Sequence, residues 1–233
     1  MRNGGKKFRH ELKYYINYND YISVRNRIKY VLKLDQNADE SGEYFIRSLY
    51  YDDIYDSALY EKNFGVNIRK KYRIRIYNMS DKVIKLERKN KVGQYVCKES
   101  ATISRKEYDE IINGDYKSLV SSKHPLKRDF YWEIKNKILA PKVIVDYDRE
   151  AYVGKISETR ITFDKNLRVS YTDNNIFNEN IATQTIIAMP KMIMEVKFNE
   201  FLPESVRKMI CIDAEDLSAI SKYVFCRVQK NNI

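Results

Sequence analysis

Cysteine and histidine are scarce in this chain. The three cysteines, Cys97, Cys211 and Cys226, are odd in number and form no CxxC pair, and the two histidines, His10 and His124, stand alone. Neither a zinc site nor a disulfide framework is expected. Only seven glycines and four prolines punctuate 233 residues, so a single domain over 1–233 is the simpler reading. No run approaches the roughly 18 apolar residues of a transmembrane span, and the N-terminus lacks the apolar segment of a secretory signal. The expected location is the cytoplasm.

Positive charge is abundant. Lys and Arg total 43 against 32 Asp and Glu, a formal net charge of +11, which supports an anionic partner: nucleic acid, an acidic membrane or a phosphate compound. A lysine-, asparagine- and tyrosine-rich composition can raise the bulk charge without any partner, so the placement of charge has to decide. Twenty tyrosines contribute to the 43% hydrophobic content, and their amphipathic rings line a wet cavity as readily as they fill a core.

That placement has a period of two. In Lys71-Tyr72-Arg73-Ile74-Arg75-Ile76-Tyr77, a strand sends Lys71, Arg73, Arg75 and Tyr77 to one face and Tyr72, Ile74 and Ile76 to the other. Lys85, Glu87 and Lys89 share a face in the same way. Val145, Tyr147 and Arg149 oppose Ile144, Asp146 and Asp148, and Arg160, Thr162 and Asp164 oppose Ile161 and Phe163. Met192, Met194, Val196 and Phe198 make an apolar face that leaves Ile193, Glu195 and Lys197 behind it, and Glu11 and Lys13 repeat the acid and base pairing.

Strands are predicted over 8–16, 44–51, 71–77, 85–89, 93–103, 142–152, 159–163, 167–171 and 191–198. Helices are predicted after a cap at Asn19 or Asp20, over 57–63, after the Ser104 and Glu107 capping box, from Pro125, and over 203–209 and 214–223. Many strands with few helices indicate an α+β domain, an eight-stranded antiparallel β-barrel with helices packed outside.

Charged strand faces are ordinarily solvent-facing surfaces of sheets with surface ion pairs of little worth. Five polar faces on one sheet argue instead for an inward-facing cationic lumen, and the repeated use of Arg favours phosphate oxygens, which its planar fork matches. A linear phosphate chain supplies several negative charges per ligand. Glu11, Glu87 and Glu195 are then candidate ligands for a hard divalent cation bridging phosphates, with salt bridges to neighbouring bases as the alternative.

The ordered motifs Arg9-His10-Glu11-Leu12-Lys13-Tyr14, Ser48-Leu49-Tyr50-Tyr51-Asp52, Lys71 to Arg75, Lys85 to Lys89, Tyr147-Asp148-Arg149, Arg160 to Asp164 with Arg168, Glu195-Val196-Lys197 and Ser221-Lys222-Tyr223 resemble the VTC (vacuolar transporter chaperone) polyphosphate polymerase domain of the triphosphate tunnel metalloenzymes (CYTH-like). The resemblance spans nearly the whole chain and implies an eight-stranded tunnel with a basic interior. It implies phosphate contacts from Lys13, Arg73, Arg75, Lys85, Arg149, Arg168 and Lys222, to which the charged faces add Lys89, Arg160 and Lys197. It also implies Mn2+ or Mg2+ at Glu195, and transfer of the γ-phosphoryl of ATP to a growing polyphosphate chain. Arg73, Arg75, Lys85 and Glu195 are the expected catalytic set. Arg9 stands where hydrolytic tunnel enzymes carry the first acid of an ExExK pattern, which favours the VTC branch.

Two other functions remain open at the level of sequence. A tunnel triphosphatase would use the same cradle with water as acceptor, and a non-catalytic module would bind polyphosphate or RNA. Nucleic acid is the less favoured partner, although Tyr72, Tyr77 and Tyr147 could stack on bases. The accessory membrane and sensor segments of larger polymerases are not recognisable, so any translocation would need a membrane-protein partner.

Overall fold

The computed structural model describes residues 2–3, 6–7, 9–211 and 220–228. Eight long strands build the domain: β1 (His10–Ile16), β2 (Glu43–Asp52), β3 (Ile68–Tyr77), β4 (Ser80–Val92), β5 (Tyr95–Ile103), β6 (Ala140–Val153), β7 (Arg160–Ser170) and β8 (Met192–Phe198). All neighbours are antiparallel, in the order β1-β8-β7-β6-β2-β3-β4-β5, and two short strands, Lys33–Leu34 beside β6 and Gln184–Ile187 beside β7, bring the sheet to ten. The path curls until its ends meet at one bridge, where Arg9 N donates to Val96 O at 2.9 Å and Val96 N donates to Arg9 O at 3.1 Å. The expected barrel is thus a curled sheet whose seam, among the described residues, is one residue pair rather than a ladder.

The period-two pattern decides what faces out. On β3, Tyr72, Ile74 and Ile76 pack with Leu49, Leu86 and Ile103 beneath α3 (Arg105–Ile112), α4 (Lys117–Val120) and α5 (Pro125–Lys137), whose Tyr108, Ile111, Leu119, Leu126 and Phe130 complete the cluster. Fully burying each such side chain contributes about 1.5–3 kcal/mol. On the other flank, Met192, Met194 and Val196 of β8 meet Val24 and Ile28 of α1 (Tyr18–Ile28) and Val206 of α6 (Glu204–Met209). The inward face is apolar only over part of its area, where Val145, Leu167, Val169 and Ile193 are plugged by Tyr223 and Cys226 of α7 (Lys222–Val228), with Leu59 of α2 (Ser57–Asn63) alongside.

Several boundaries differ from expectation for local reasons. Helix α1 is capped by Asn17, not by Asn19 or Asp20: its side chain accepts from Asp20 N at 3.0 Å while Asp20 returns a bond to the Asn17 N–H. The two strands expected over 159–171 are one, β7, interrupted by a bulge in which Asn166 takes a φ of 51°. The strand expected from Gly93 begins at Tyr95, because Gly93 occupies the turn at a φ of 57°. Of the helix expected over 214–223, residues 214–219 lie outside the described residues, and the described helix starts at Lys222. Phe8 of the first predicted strand also lies outside them.

Candidate functional site

Inward-facing side chains of every long strand converge on one cavity of about 510 Å³. Eleven Lys and Arg side chains line it against three glutamates, Glu11, Glu87 and Glu195. Of the residues singled out in the sequence, Lys13, Arg73, Arg75, Lys89, Arg149, Arg160, Lys197, Lys222 and the three glutamates are in the lining. Lys85 and Arg168 are not.

Both exceptions have a geometric cause. Lys85 keeps the inward parity of Glu87, but its ammonium donates to Thr102 Oγ1 at 2.7 Å in an exposed position. Arg168 lies beyond the β7 bulge: without that extra residue it would share the face of Arg160, Thr162 and Asp164, whereas the register pairs it with outward-facing Asp146. Its guanidinium sits 3.5 Å from Asp148 on the outer surface, and Leu167 and Val169 turn inward in its place.

The register assembles three linked clusters. Arg73 and Glu87 are direct partners across β3 and β4, and Arg73 donates through Nε to Glu87 Oε2 at 2.7 Å and through Nη1 to Tyr50 Oη at 2.9 Å. Arg75 donates to Ser48 Oγ at 3.0 Å and to Tyr147 Oη at 2.9 Å, and Lys98 Nζ donates to Glu87 Oε1 at 2.9 Å. Burial pushes the Glu87 carboxyl up, but Arg73, Arg75 and Lys98 outweigh it and hold the group well below the usual carboxylate range. Tyr50 is likewise pushed up by burial and brought below its ordinary value by Arg73, Arg75 and Lys222.

In the second cluster, Arg149 forks onto Asp164, with Nε at 2.6 Å and Nη2 at 2.8 Å, and Lys222 reaches the same carboxylate from α7. In the third, Lys13 lies 3.1 Å from Glu195 and 3.5 Å from Glu11, Lys197 donates to Glu195 Oε2 at 2.7 Å, and Lys89 donates to Glu11 Oε2 at 2.5 Å. Burial raises the Glu195 carboxyl, yet Lys197 and Lys13 hold it well below its ordinary range. Arg160, at one margin, donates to Asp35 at 2.6 Å and Tyr44 Oη at 2.7 Å.

A hard cation needs carboxylate oxygens that bases have not already taken. Glu11 Oε1 is buried and accepts no hydrogen bond, with Lys13 no nearer than 3.5 Å, and Glu195 stands beside it, close enough that each carboxylate alters the other's titration. Two carboxylates completed by substrate phosphates suit Mn2+ or Mg2+. By the same test both oxygens of Glu87 are engaged, by Arg73 and Lys98, and so are both of Glu195, by Lys13 and Lys197, so a cation at Glu195 would have to displace one of those lysines. No group of three or more His, Cys, Asp or Glu suited to a metal occurs among the described residues.

Lys71, Lys98, Tyr50, Tyr223 and Asp164 were not singled out as site residues from the sequence. Lys71 lies on the same face as Arg73, and its ammonium donates to Ser221 Oγ at 3.2 Å over the Tyr223 ring. Burial, with Lys89, Lys13 and Arg69 nearby, pushes it down to about 7. Its signal was the two-residue alternation itself. Lys98 gave a weaker one, because Glu99 next to it puts charge on both faces of β5.

The family model for the VTC domain matches residues 8–229. Among solved structures, a Bacillus halodurans protein described as a candidate adenylate cyclase superposes with a TM-score of 0.50 at 13% identity, covering 88% of this chain and 87% of its own. A Pyrococcus horikoshii protein gives a TM-score of 0.48 at 13% identity over 95% of this chain and 99% of its own. No curated protein sequence matches the chain.

Proposed function

The chain belongs to the VTC domain family, and from that premise we propose that it is a metal-dependent phosphotransferase that extends inorganic polyphosphate with the γ-phosphoryl of ATP. The observation that carries this reading is the excess of eleven cations lining one cavity over its three glutamates and the two aspartates, Asp164 and Asp35, that pair with the lining. Buried like charges repel one another unless an anion joins them, and a nucleoside triphosphate beside a phosphate chain supplies that charge along a line.

Phosphoryl transfer asks the protein chiefly for alignment and charge neutralisation. A terminal oxygen of the acceptor chain forms a bond to the γ-phosphorus of ATP, the bond from that phosphorus to the β,γ-bridging oxygen breaks, and ADP leaves with the electron pair. Arg73 and Arg75 stand on one face of β3, so both guanidinium groups can grip oxygens of the transferring group. Tyr50, Tyr147 and Ser48 aim those forks. Lys13, Lys89, Arg149, Lys197 and Lys222 would hold donor and acceptor chains on either side. Glu11 and Glu195 would hold Mn2+ or Mg2+, which when bound neutralises phosphate oxygens.

Water in the acceptor position would make the same cradle a triphosphatase. Incubating the pure protein with labelled ATP and Mn2+ and resolving products on a polyphosphate gel separates the outcomes. Polymer with ADP supports the proposal, free phosphate or pyrophosphate without polymer replaces it with hydrolysis, and unchanged ATP removes both.

A further inference from the structure

A second feature lies at one end of the tunnel, where an exposed apolar rim surrounds a recess that continues from the site through Lys13, Lys71 and Lys89. Phe64 and Ile68 are 80% and 72% exposed, and Tyr60, Val66 and Val92 are exposed beside them. These residues are contiguous. Tyr60 and Phe64 stack at 6.2 Å, Val66 N donates to Glu61 O at 2.9 Å, Ile68 is the register partner of Val92, and Gly93 N donates to Asn67 O at 2.9 Å. The apolar side chains therefore crown two adjacent turns, and a Cβ added at Gly65 or Gly93 would meet nothing within 4 Å.

Inside this apolar rim the side chains are cationic. Lys62, Arg69 and Lys91 line a recess of about 120 Å³ that also touches Lys71 and Lys89. Arg69 and Lys91 are register partners on the inward face, one residue from Ile68 and Val92, and Arg69 donates to Val66 O at 2.5 Å. Burial lowers all three cations, Arg69 and Lys91 act against Lys62, and only Glu61 near Arg69 and Glu11 near Lys91 oppose the trend.

We propose that this end of the molecule docks on an anionic lipid surface, with Phe64 and Ile68 entering the boundary between headgroups and acyl chains and Lys62, Arg69 and Lys91 meeting lipid phosphates. Projecting apolar tips with no facing groove suit a deformable surface, and the ring of cations requires it to be negative. No helix of the described residues is long and apolar enough to cross a membrane.

Co-sedimentation with vesicles tests the surface. The wild type should sediment with phosphatidylcholine vesicles containing phosphatidylserine and not with phosphatidylcholine alone. Phe64→Ser combined with Ile68→Ser should weaken that partitioning about tenfold or more without changing the thermal melt, since both side chains are exposed. Lys62→Ser and Arg69→Ser should each weaken it about fivefold, whereas Lys106→Ser with Lys117→Ser, which removes two charges from α3 and α4, should leave it unchanged. Single Phe64→Ser serves if the double variant folds poorly. Failure of the wild type to sediment with anionic vesicles overturns the proposal. So does an equal loss in the Lys106 and Lys117 control, which would mark adsorption by bulk charge. A wild-type dimer that Phe64→Ser dissociates would also overturn it, because the covering surface would then be a second copy of the chain.

Discussion

At the scale of single residues, the site depends on how each cation is held. Arg75 is fixed by Ser48 and Tyr147 and has only a 3.9 Å approach to Glu87, so its charge is less fully answered than that of Arg73. Arg75→Lys keeps the charge and loses the fork, and kcat/KM should fall about 10- to 100-fold while the melting temperature moves little. Wild-type kinetics in that variant would take Arg75 out of phosphate recognition. Glu195→Gln removes one of two adjacent carboxylates and should raise the Mn2+ concentration needed for half-maximal turnover about tenfold or more; an unchanged Mn2+ titration would remove it from the metal site. Lys71 should make anion binding pH-dependent. Its folded-state value of about 7 lies below the ordinary 10.5, so between these the unfolded chain carries a proton that the folded chain does not. Its contribution to stability therefore falls as pH drops from 10.5 to about 7 and is level below that. An anion favours the protonated ammonium, so tripolyphosphate affinity should weaken as pH rises above about 7. Calorimetry in buffers of different ionisation enthalpy should show proton uptake that Lys71→Met reduces, leaving the share of Lys89, which burial pushes down to about 8.

At the scale of elements, the alternation in the sequence located the inward faces of β1, β3, β4, β6 and β8 without knowledge of their neighbours, because parity along a strand is a local property. It failed at Arg168 for an equally local reason. One extra residue at Asn166 exchanges the two faces of β7, and nothing in Asp164-Lys165-Asn166-Leu167-Arg168 announces a bulge to a reader counting by twos. Tyr50 and Tyr51 show the complementary limit: both are aromatic and adjacent, yet Tyr50 enters the site and Tyr51 joins the outer core. The contribution of α7 was illegible for another reason, since it depends on a long-range contact. Asp52 accepts from Ala58 N at 2.9 Å and Leu59 N at 3.1 Å at the start of α2, and from Tyr223 Oη at 2.6 Å. That carboxylate ties β2, α2 and α7 together. Tyr223→Phe deletes the phenolic donor from a buried carboxylate and should cost about 1.5–3 kcal/mol of unfolding free energy, measured by denaturant titration. An unchanged midpoint would mean that α7 is held without this bond, by its apolar contacts and the ion pairs of Lys222 with Asp164 and Arg227 with Asp56.

At the scale of the whole molecule, eight strands contribute to one lining, so a ligand that satisfies the lining bridges much of the fold. Tripolyphosphate at about 100 times its dissociation constant should raise unfolding free energy by about 2.7 kcal/mol, and the accompanying rise in melting temperature should shrink as salt screens the charges. Equal stabilisation by chloride at matched ionic strength would refute a specific anion site. The fold class could be read from the sequence because inward charge and outward apolarity persist over many strands. The form of the closure could not, because among the described residues it rests on one backbone bridge, Arg9 with Val96, whose residue types carry no pairing signal. That seam also bears on colloidal behaviour. Laid flat, the sheet would end in two bare edges, β1 and β5, each able to recruit a strand from another chain. Rolled up, each edge occupies the approach to the other. Losing the Arg9–Val96 bridge would free both edges at once, so the pair that draws the ends of the sheet together also limits how far either edge is open to another chain.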